Sequence, residues 1–263
     1  MRITPTVPVL PATDTPRCGA RTEATVPPPG PEAGARFAPL DAVLADLEER
    51  RRVRLGVLAH DPGRGLTYAR RADDRFAMCS TFKVYAAAAI LRLESQGSLR
   101  LDNTAGNLLL RRLGGPTAVT AFARSLGDTV TTLDRWEPEL NSAEPGDVRD
   151  TSTASGLARG YRELLLGSGL PAAGQQTLTG WMRASVTSGQ RIRAGLPAGW
   201  TAADKSGAGR YGTVNDAGVL WSPDGSPLVL VLLSDSVTGL PDAAHDNAAI
   251  AEATAVIVES LTR

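Results

Sequence analysis

Residues 78–91 decide the fold, and they are Met78-Cys79-Ser80-Thr81-Phe82-Lys83-Val84-Tyr85-Ala86-Ala87-Ala88-Ala89-Ile90-Leu91. Four alanines among apolar residues, with no breaker before Gly97, predict one helix over residues 80–96. A helix that begins near Ser80 puts Lys83 on the same face as Ser80. A hydroxyl there lies among unpaired N–H groups that favour a developing anion, and a desolvated lysine can take its proton. The same pattern also fits a serine that merely starts a helix and a surface lysine.

The composition narrows the possible functions. Lys and Arg number 28, as do Asp and Glu, so the net charge is zero and nothing indicates nucleic-acid binding. Apolar residues make up 42% of the chain, enough for a core, and no apolar run approaches a membrane span. The two histidines, His60 and His245, leave little room for a Ser-His-Asp triad or a His-rich metal site. Cys18 and Cys79 form no metal-ligand pattern, and their pairing cannot be argued from the sequence.

The chain divides into a leader and two structural parts. Residues 1–36 are rich in proline and predict a disordered leader, in which residues 7–11 are too short and too broken for a secretory signal. Strands are predicted near both ends, with helices between them. We therefore expect an α+β fold: an antiparallel sheet built from both chain ends and flanked by helices (37–76 and 185–263), with an inserted all-helical lobe (77–184).

Two further stretches contain candidate partners for Ser80. The irregular run 135–150 includes Glu137, and an ion pair between Arg135 and Asp150 would close its neck. The stretch 203–209 (Ala203-Asp204-Lys205-Ser206-Gly207-Ala208-Gly209) predicts a small-residue strand that a ligand can approach closely. Each stretch alone has an ordinary interpretation, because charges in loops are usually solvated.

Taken together, these motifs resemble those of the class A serine β-lactamases, and the resemblance extends from about Phe37 to the C-terminus. The matching residues are Ser80-Thr81-Phe82-Lys83, Glu137-Pro138-Glu139-Leu140-Asn141 and Lys205-Ser206-Gly207, and residues 135–150 resemble the omega loop of that family. The resemblance implies a monomeric hydrolase that opens small β-lactams, without metal or organic cofactor, nucleic-acid partner or membrane span. It also implies a secreted or periplasmic location.

The resemblance assigns roles to individual residues. Ser80 would be the nucleophile, and the N–H groups of Ser80 and Ala208 would form an oxyanion hole. Lys83 or Glu137 would be the base for acylation, and Glu137 with Asn141 would hold the deacylating water. The substrate-binding residues implied in this way are Asn103, Lys205, Ser206, Gly207 and Arg191.

One motif departs from the family pattern. The family has Ser-Asp-Asn where this chain has Leu101-Asp102-Asn103, and leucine has no hydroxyl to relay a proton to the departing lactam nitrogen. The segment before this motif is also a few dozen residues shorter than in the family, as if by an internal deletion. The predicted helix carries the chain about 21 Å away from Lys83. The connector that follows spans at most roughly 20–22 Å, so it brings Asn103 back to Lys83 only when it is fully stretched or when the helix ends early.

Three alternatives to an efficient β-lactamase are therefore compatible with the sequence. A penicillin-binding D,D-peptidase shares the Ser-x-x-Lys and Lys-Ser-Gly motifs, but the deacylating loop with Glu137 argues against it. A slow or non-hydrolytic acyl trap is favoured by Leu101. A pseudo-enzyme with an unrelated binding role is also compatible, since fold does not fix function.

Overall fold

The computed structural model describes residues 31–96 and 106–262. In chain order, the strands are β1 (Val53–Asp61), β2 (Leu66–Arg70), β3 (Phe76–Ala77), β4 (Thr151–Ser152), β5 (Thr201–Ala208), β6 (Val214–Trp221) and β7 (Pro227–Ser236). The α-helices are α1 (Pro31–Arg51), α2 (Lys83–Ser95), α3 (Gly106–Leu113), α4 (Pro116–Ser125), α5 (Ala154–Leu165), α6 (Ala172–Arg183), α7 (Ile192–Gly195) and α8 (Asn247–Thr262).

Five strands form one antiparallel sheet in the order β2-β1-β7-β6-β5. The N-terminal strand β1 thus pairs with β7 from the C-terminal part of the chain, and β2 pairs with β1 at the edge of the sheet. Between the N-terminal and C-terminal strands runs a segment that is helical apart from β4, which pairs with β3 in a small second sheet. This arrangement confirms the predicted α+β fold.

The central strand β7 contains a continuous apolar run, and the packing of its two faces explains why. Leu228, Leu230 and Leu232 join the core cluster that includes α1 and α8. The alternate residues Val229, Val231 and Leu233 join the cluster on the opposite face, which includes α2 and α5. Because successive side chains of a strand point to opposite faces, both faces of β7 are buried, and truncating Leu230 to alanine would cost about 2–5 kcal/mol. The sheet is therefore a rigid platform for the segments at its edge.

Helix α1 begins at Pro31, earlier than the predicted start of folding at Phe37. Residues 31–36, assigned from the sequence to the disordered leader, are helical, so the leader prediction was wrong for these six residues. Proline suits the first position of a helix, and the glutamate and alanines that follow are good helix formers. Residues 1–30 lie outside the described part of the chain, and so does Cys18.

The helix predicted over residues 80–96 is divided in two. Residues Cys79–Phe82 form a 3₁₀ turn, and the α-helix α2 begins only at Lys83. The tighter turn places Ser80 at the junction between β3 and α2, where the helical segment meets the main sheet. No helix within residues 31–96 and 106–262 has both the length and the apolar composition needed to cross a membrane.

Candidate active site

Ser80 is held in place through the backbone of its own turn. The preceding residue, Cys79, is buried and has a positive φ of 46°, an uncommon conformation for a side-chain-bearing residue. The Asn215 side-chain amide on β6 donates to the carbonyls of Ala77 at 2.8 Å and Met78 at 3.2 Å. On the other side, the Tyr161 hydroxyl on α5 donates to the Thr81 carbonyl at 2.9 Å. The turn is thus fixed from both the sheet and the helical segment.

Lys83 connects Ser80 to Glu137. Its Nζ donates to Ser80 Oγ at 2.8 Å and lies 2.7 Å from Glu137 Oε1. The side chain retains 33% of its exposure, so it lies between a hydroxyl and a carboxylate rather than within an apolar wall. Asn141 Nδ2 donates to the other oxygen, Glu137 Oε2, at 2.8 Å. The structure therefore brings together four of the predicted catalytic residues in one hydrogen-bonded and ionic chain.

Glu137 is ionised in this arrangement. Burial opposes the charge, but the hydrogen bonds from Lys83 and Asn141 and the charges of Lys83 and Lys205 outweigh it, so the pKa of Glu137 lies below its ordinary value. Two acceptors nearby are buried: Glu137 Oε1, which contacts Lys83 Nζ, and Asn141 Oδ1, which receives no hydrogen bond from a described residue. Both can accept a hydrogen bond from a water molecule.

Asn107, at the start of α3, clamps the backbone of Glu137. Its Oδ1 accepts from the Glu137 N–H at 3.1 Å, and its Nδ2 donates to the Glu137 carbonyl at 3.0 Å. The peptide bond between Glu137 and Pro138 is cis. Sequence reasoning missed this role, because an asparagine at a helix start is ordinarily explained by capping. Only the tertiary fold brings residues 107 and 137 together.

The neck of the omega loop, residues 135–150, is closed by an ion pair. Arg135 Nε lies 2.5 Å from Asp150 Oδ2, and the Asp150 side chain is 1% exposed. The other oxygen, Asp150 Oδ1, accepts from the backbone N–H groups of Asp134 at 2.7 Å and Arg135 at 2.9 Å. One carboxylate thus joins both ends of the loop that carries Glu137.

The C-terminal end of β5 lies directly against the turn of Ser80. A Cβ atom added to Gly207 would come within 2.9 Å of the Met78 carbonyl oxygen and 3.2 Å of the Ser80 nitrogen. A Cβ added to Gly209 would come within 2.7 Å of Cys79 Sγ. Glycine is required at these positions because the two backbones approach so closely. The neighbouring residue on the strand, Ala208, is therefore beside the Ser80 turn.

Lys205 and Ser206 extend this wall of the site. Burial, with the charges of Lys83 and Arg191, lowers the pKa of Lys205 to about 8, against the opposing charges of Asp216 and Asp204. Its Nζ donates to the Ser206 carbonyl at 2.7 Å. The Ser206 hydroxyl lies 2.7 Å from the Thr187 hydroxyl.

Arg191 lies behind β5 and is 9% exposed. Its Nη1 donates to the carbonyls of Gly207 at 2.6 Å and Asn215 at 2.8 Å, and its Nε donates to Asn247 Oδ1 at 2.8 Å. Burial lowers the pKa of the guanidinium. These contacts fix β5 and β6 from behind, a supporting role that the sequence did not reveal. The remaining predicted substrate-binding residue, Asn103, lies outside the described residues together with Leu101 and Asp102.

Comparisons with known proteins agree with this geometry. Residues 99–261 match a family model described as Beta-lactamase enzyme family, and residues 40–104 match one described as Beta-lactamase. The β-lactamase of Streptomyces albus G is 46% identical over an alignment 263 positions long, gaps included, which covers 83% of this chain and 83% of that protein. That of Streptomyces fradiae is 44% identical, covering 93% of this chain and 94% of that protein.

Solved structures give the same result. The β-lactamase from Desulfarculus baarsii superposes with a TM-score of 0.81 at 39% identity, covering 89% of this chain and all of that one. The Streptomyces albus G enzyme superposes with a TM-score of 0.77 at 42% identity, covering 85% of this chain and 99% of that one.

The α+β fold and the contacts that join a serine, a lysine and a glutamate agree with the class of enzyme that these comparisons indicate, the β-lactamases. Within that class, the chain belongs to the class A β-lactamase family.

Proposed function

We propose that Ser80 carries out the β-lactam hydrolysis of this enzyme through a covalent acyl-enzyme. The observation that carries the proposal is the direct contact of Lys83 Nζ with both Ser80 Oγ and Glu137 Oε1. Attack of Ser80 Oγ on the lactam carbonyl forms the ester bond and breaks the ring C–N bond, and the ring nitrogen takes up the proton that Ser80 loses, by way of Lys83. Water then cleaves the ester and regenerates the serine.

Acylation needs an acceptor for the Ser80 proton. A protonated Lys83 donates to Ser80 and cannot accept from it, so its own proton must leave first. The ionised Glu137 carboxylate is within reach of that proton, and the resulting neutral amine then takes the proton of Ser80. Lys83 is the direct base in this proposal, and Glu137 sets its protonation state. Activation of Ser80 by Glu137 through a water molecule is the competing route.

The tetrahedral intermediate requires donors for its oxyanion. The N–H groups of Ser80 and Ala208 are the candidates, because Gly207 brings the β5 backbone against the Ser80 turn. The substrate carboxylate would bind Lys205 and Ser206, with Gly207 allowing close approach. Arg191 would add positive charge from behind the strand, and Asn103 is a further proposed substrate-binding residue.

Deacylation falls to Glu137 and Asn141. Two buried acceptors, Glu137 Oε1 beside Lys83 Nζ and Asn141 Oδ1 without a described donor, are suited to fix one water molecule for attack on the ester. The clamp by Asn107 and the ion pair of Arg135 with Asp150 support this geometry, since they hold Glu137 from two directions.

Leu101 favours a second candidate function, a slow acyl trap. A leucine cannot protonate the lactam nitrogen as it leaves, so we propose slower acylation than in relatives that have a serine there. The matches to the two family models overlap only at residues 99–104, which include Leu101 and the end of the shortened segment. The alignment with the Streptomyces albus G enzyme spans more positions than the residues of this chain that it covers, so part of that enzyme faces gaps.

Two further proposals concern the protein as a whole. We propose that it acts as a monomer, because every predicted catalytic group comes from one chain. We also propose a secreted or periplasmic location, in line with the family resemblance. Gel filtration with light scattering tests the first, and fractionation of the producing cells tests the second.

Turnover of a chromogenic cephalosporin by the folded full-length chain tests the central proposal. Hydrolysis that Ser80→Ala abolishes is the expected result. Absence of turnover, together with a stable mass adduct on Ser80, would replace the hydrolase by the acyl trap. Absence of both turnover and adduct from folded protein would overturn both proposals.

A further inference from the structure

Two buried aspartates outside the proposed chemistry lie beneath the substrate-binding strand. Asp204 on β5 pairs in register with Gly218, and Asp216 on β6 pairs with Ser206, so the two aspartates are diagonal neighbours on one face of the sheet. Both side chains are 0% exposed. They point away from Lys205, which follows Asp204 on the strand and lies on the opposite face.

The donors around these carboxyls are too few for two ionised groups. Arg193 donates to Asp204 Oδ1 from Nε at 2.8 Å and from Nη2 at 2.7 Å. Asp216 Oδ2 accepts only the backbone N–H of Ile192, at 3.2 Å. The second oxygens, Asp204 Oδ2 and Asp216 Oδ1, are buried and receive no hydrogen bond from the described residues. Two bare carboxylate oxygens at zero exposure would be costly for the fold.

The surrounding charges agree with one negative charge for the pair. Arg193 is matched to Asp204 by its direct contacts. Burial first, and then the charge of Asp204, raise the pKa of Asp216 well above its ordinary value, against the smaller effects of Ile192 N–H and of Arg191. Two other titratable groups interact with the charge of the pair: Lys205, from the opposite face of the sheet, and the buried Tyr161 on α5, whose own pKa is raised first by burial and then by the two aspartates.

We propose that Asp204 and Asp216 share a single proton in the folded enzyme and act as positioning residues that present one negative charge beneath Lys205. The shared proton satisfies both otherwise unpaired oxygens as an O–H···O hydrogen bond across β5 and β6. It thereby locks together the two strands whose ends carry the oxyanion donor and the supporting Asn215. The remaining charge binds Arg193 and helps to keep Lys205 protonated.

The effect on Lys205 rests on the proposed role of that residue in binding the substrate carboxylate. Burial, followed by the charge of Lys83, lowers the pKa of Lys205 to about 8, and the charges of Asp216 and Asp204 oppose this lowering. Removal of the pair's single charge would therefore move the loss of the Lys205 charge to lower pH. A merely structural role for the aspartates would not change this pH dependence.

The first test is the pH dependence of unfolding, and it does not depend on catalysis. Asp216 is ionised in the unfolded chain above its ordinary pKa and protonated in the folded one, so folding takes up a proton. Stability from the pair is full below the unfolded pKa and is lost as pH rises towards the folded pKa. The folding equilibrium constant of wild type relative to Asp216→Asn should fall about tenfold per pH unit in this window.

The matched control is Asp73→Asn, at an exposed aspartate. The folding equilibrium constant of wild type relative to this variant should not change with pH in the same window. A wild-type slope equal to that of Asp216→Asn would overturn the proposal. Infrared spectroscopy provides a second measurement on the folded enzyme. The carbonyl band of a protonated carboxylic acid should be present at neutral pH in wild type and absent from Asp216→Asn. Absence of this band from wild type would also overturn the shared proton.

The alkaline limb of kcat/KM tests the charge of the pair. With one shared proton, Asp216→Asn keeps the single charge on Asp204. The pH at which kcat/KM falls should therefore be the same in this variant as in wild type. The double variant Asp204→Asn/Asp216→Asn has no charge, and its limb should move to lower pH. A shift already in Asp216→Asn would mean two ionised carboxylates. If the double variant fails to fold or no turnover is measurable, the unfolding slope and the infrared band still decide the shared proton.

Discussion

Replacing Asn107 by leucine removes both hydrogen bonds that hold the backbone of Glu137, at 3.1 Å and 3.0 Å. Each half-buried bond is worth about 1 kcal/mol, so the preference of Glu137 for its working position falls by about 2 kcal/mol. At 1.4 kcal/mol per tenfold change, this corresponds to a loss of about 30-fold in kcat. A misplacement of about 1 Å in a catalytic group has an effect of similar order.

The larger loss should fall on deacylation, because both hydrogen bonds of Asn107 go to Glu137, which acts directly on the water in that step and only through Lys83 in acylation. Rapid mixing of Asn107→Leu with a chromogenic cephalosporin should show a burst of product followed by slow turnover. Intact-mass analysis at the plateau should show the acyl adduct. Leu108→Ala, an exposed position on the same helix (47%), is the control and should retain wild-type kcat. Wild-type kcat in folded Asn107→Leu, with no adduct, would refute the role assigned to the clamp.

Three further predictions concern the loop neck, the anion site and the shortened segment. Asp150→Asn breaks the buried pair with Arg135 and should lower the free energy of unfolding by about 3 kcal/mol in urea titrations; a change below about 1 kcal/mol would contradict this. The kcat/KM of the wild type should fall above pH 8 as Lys205 loses its charge, and Lys205→Arg should move this fall to higher pH; an unchanged limb would exclude Lys205. Leu101→Ser restores a hydroxyl and should raise the acylation rate at least about tenfold in stopped-flow assays, whereas no gain would show that residue 101 is not at the relay position.

The sequence was sufficient for those parts of the fold that depend on local patterns. The apolar run at 228–233 predicted a strand, and the structure shows why it lacks alternation, since β7 is buried on both faces. Pairing of strands from the two chain ends followed from strands at both ends and helices between them. The start of α1 at Pro31 was missed because proline-rich composition was given more weight than the helix-forming residues after Pro31.

The site was predictable where a motif is contiguous in sequence. Ser80 and Lys83 lie three residues apart, and Glu137 and Asn141 lie in one loop, so residue spacing alone brings each pair together. Asn107, Asn215 and Tyr161 act through contacts between distant segments, and no local pattern distinguishes them from a cap, a strand residue or a core tyrosine. The same holds for Arg191, which was expected at the substrate anion and whose described hydrogen bonds go to the backbone of β5 and β6 and to Asn247.

Mass spectrometry of the acyl-enzyme tests the central claim most directly. Glu137→Gln keeps the size and the contact with Asn141 but removes the base for deacylation. Acylation also slows in this variant, because glutamine cannot take the Lys83 proton, but hydrolysis of the ester loses its base altogether. After prolonged exposure to a penicillin, the variant should therefore carry one covalent adduct of the full substrate mass, mapped to the peptide with Ser80, while Ser80→Ala carries none. An adduct on another residue, or hydrolysis of the penicillin by Ser80→Ala, would contradict the proposed mechanism.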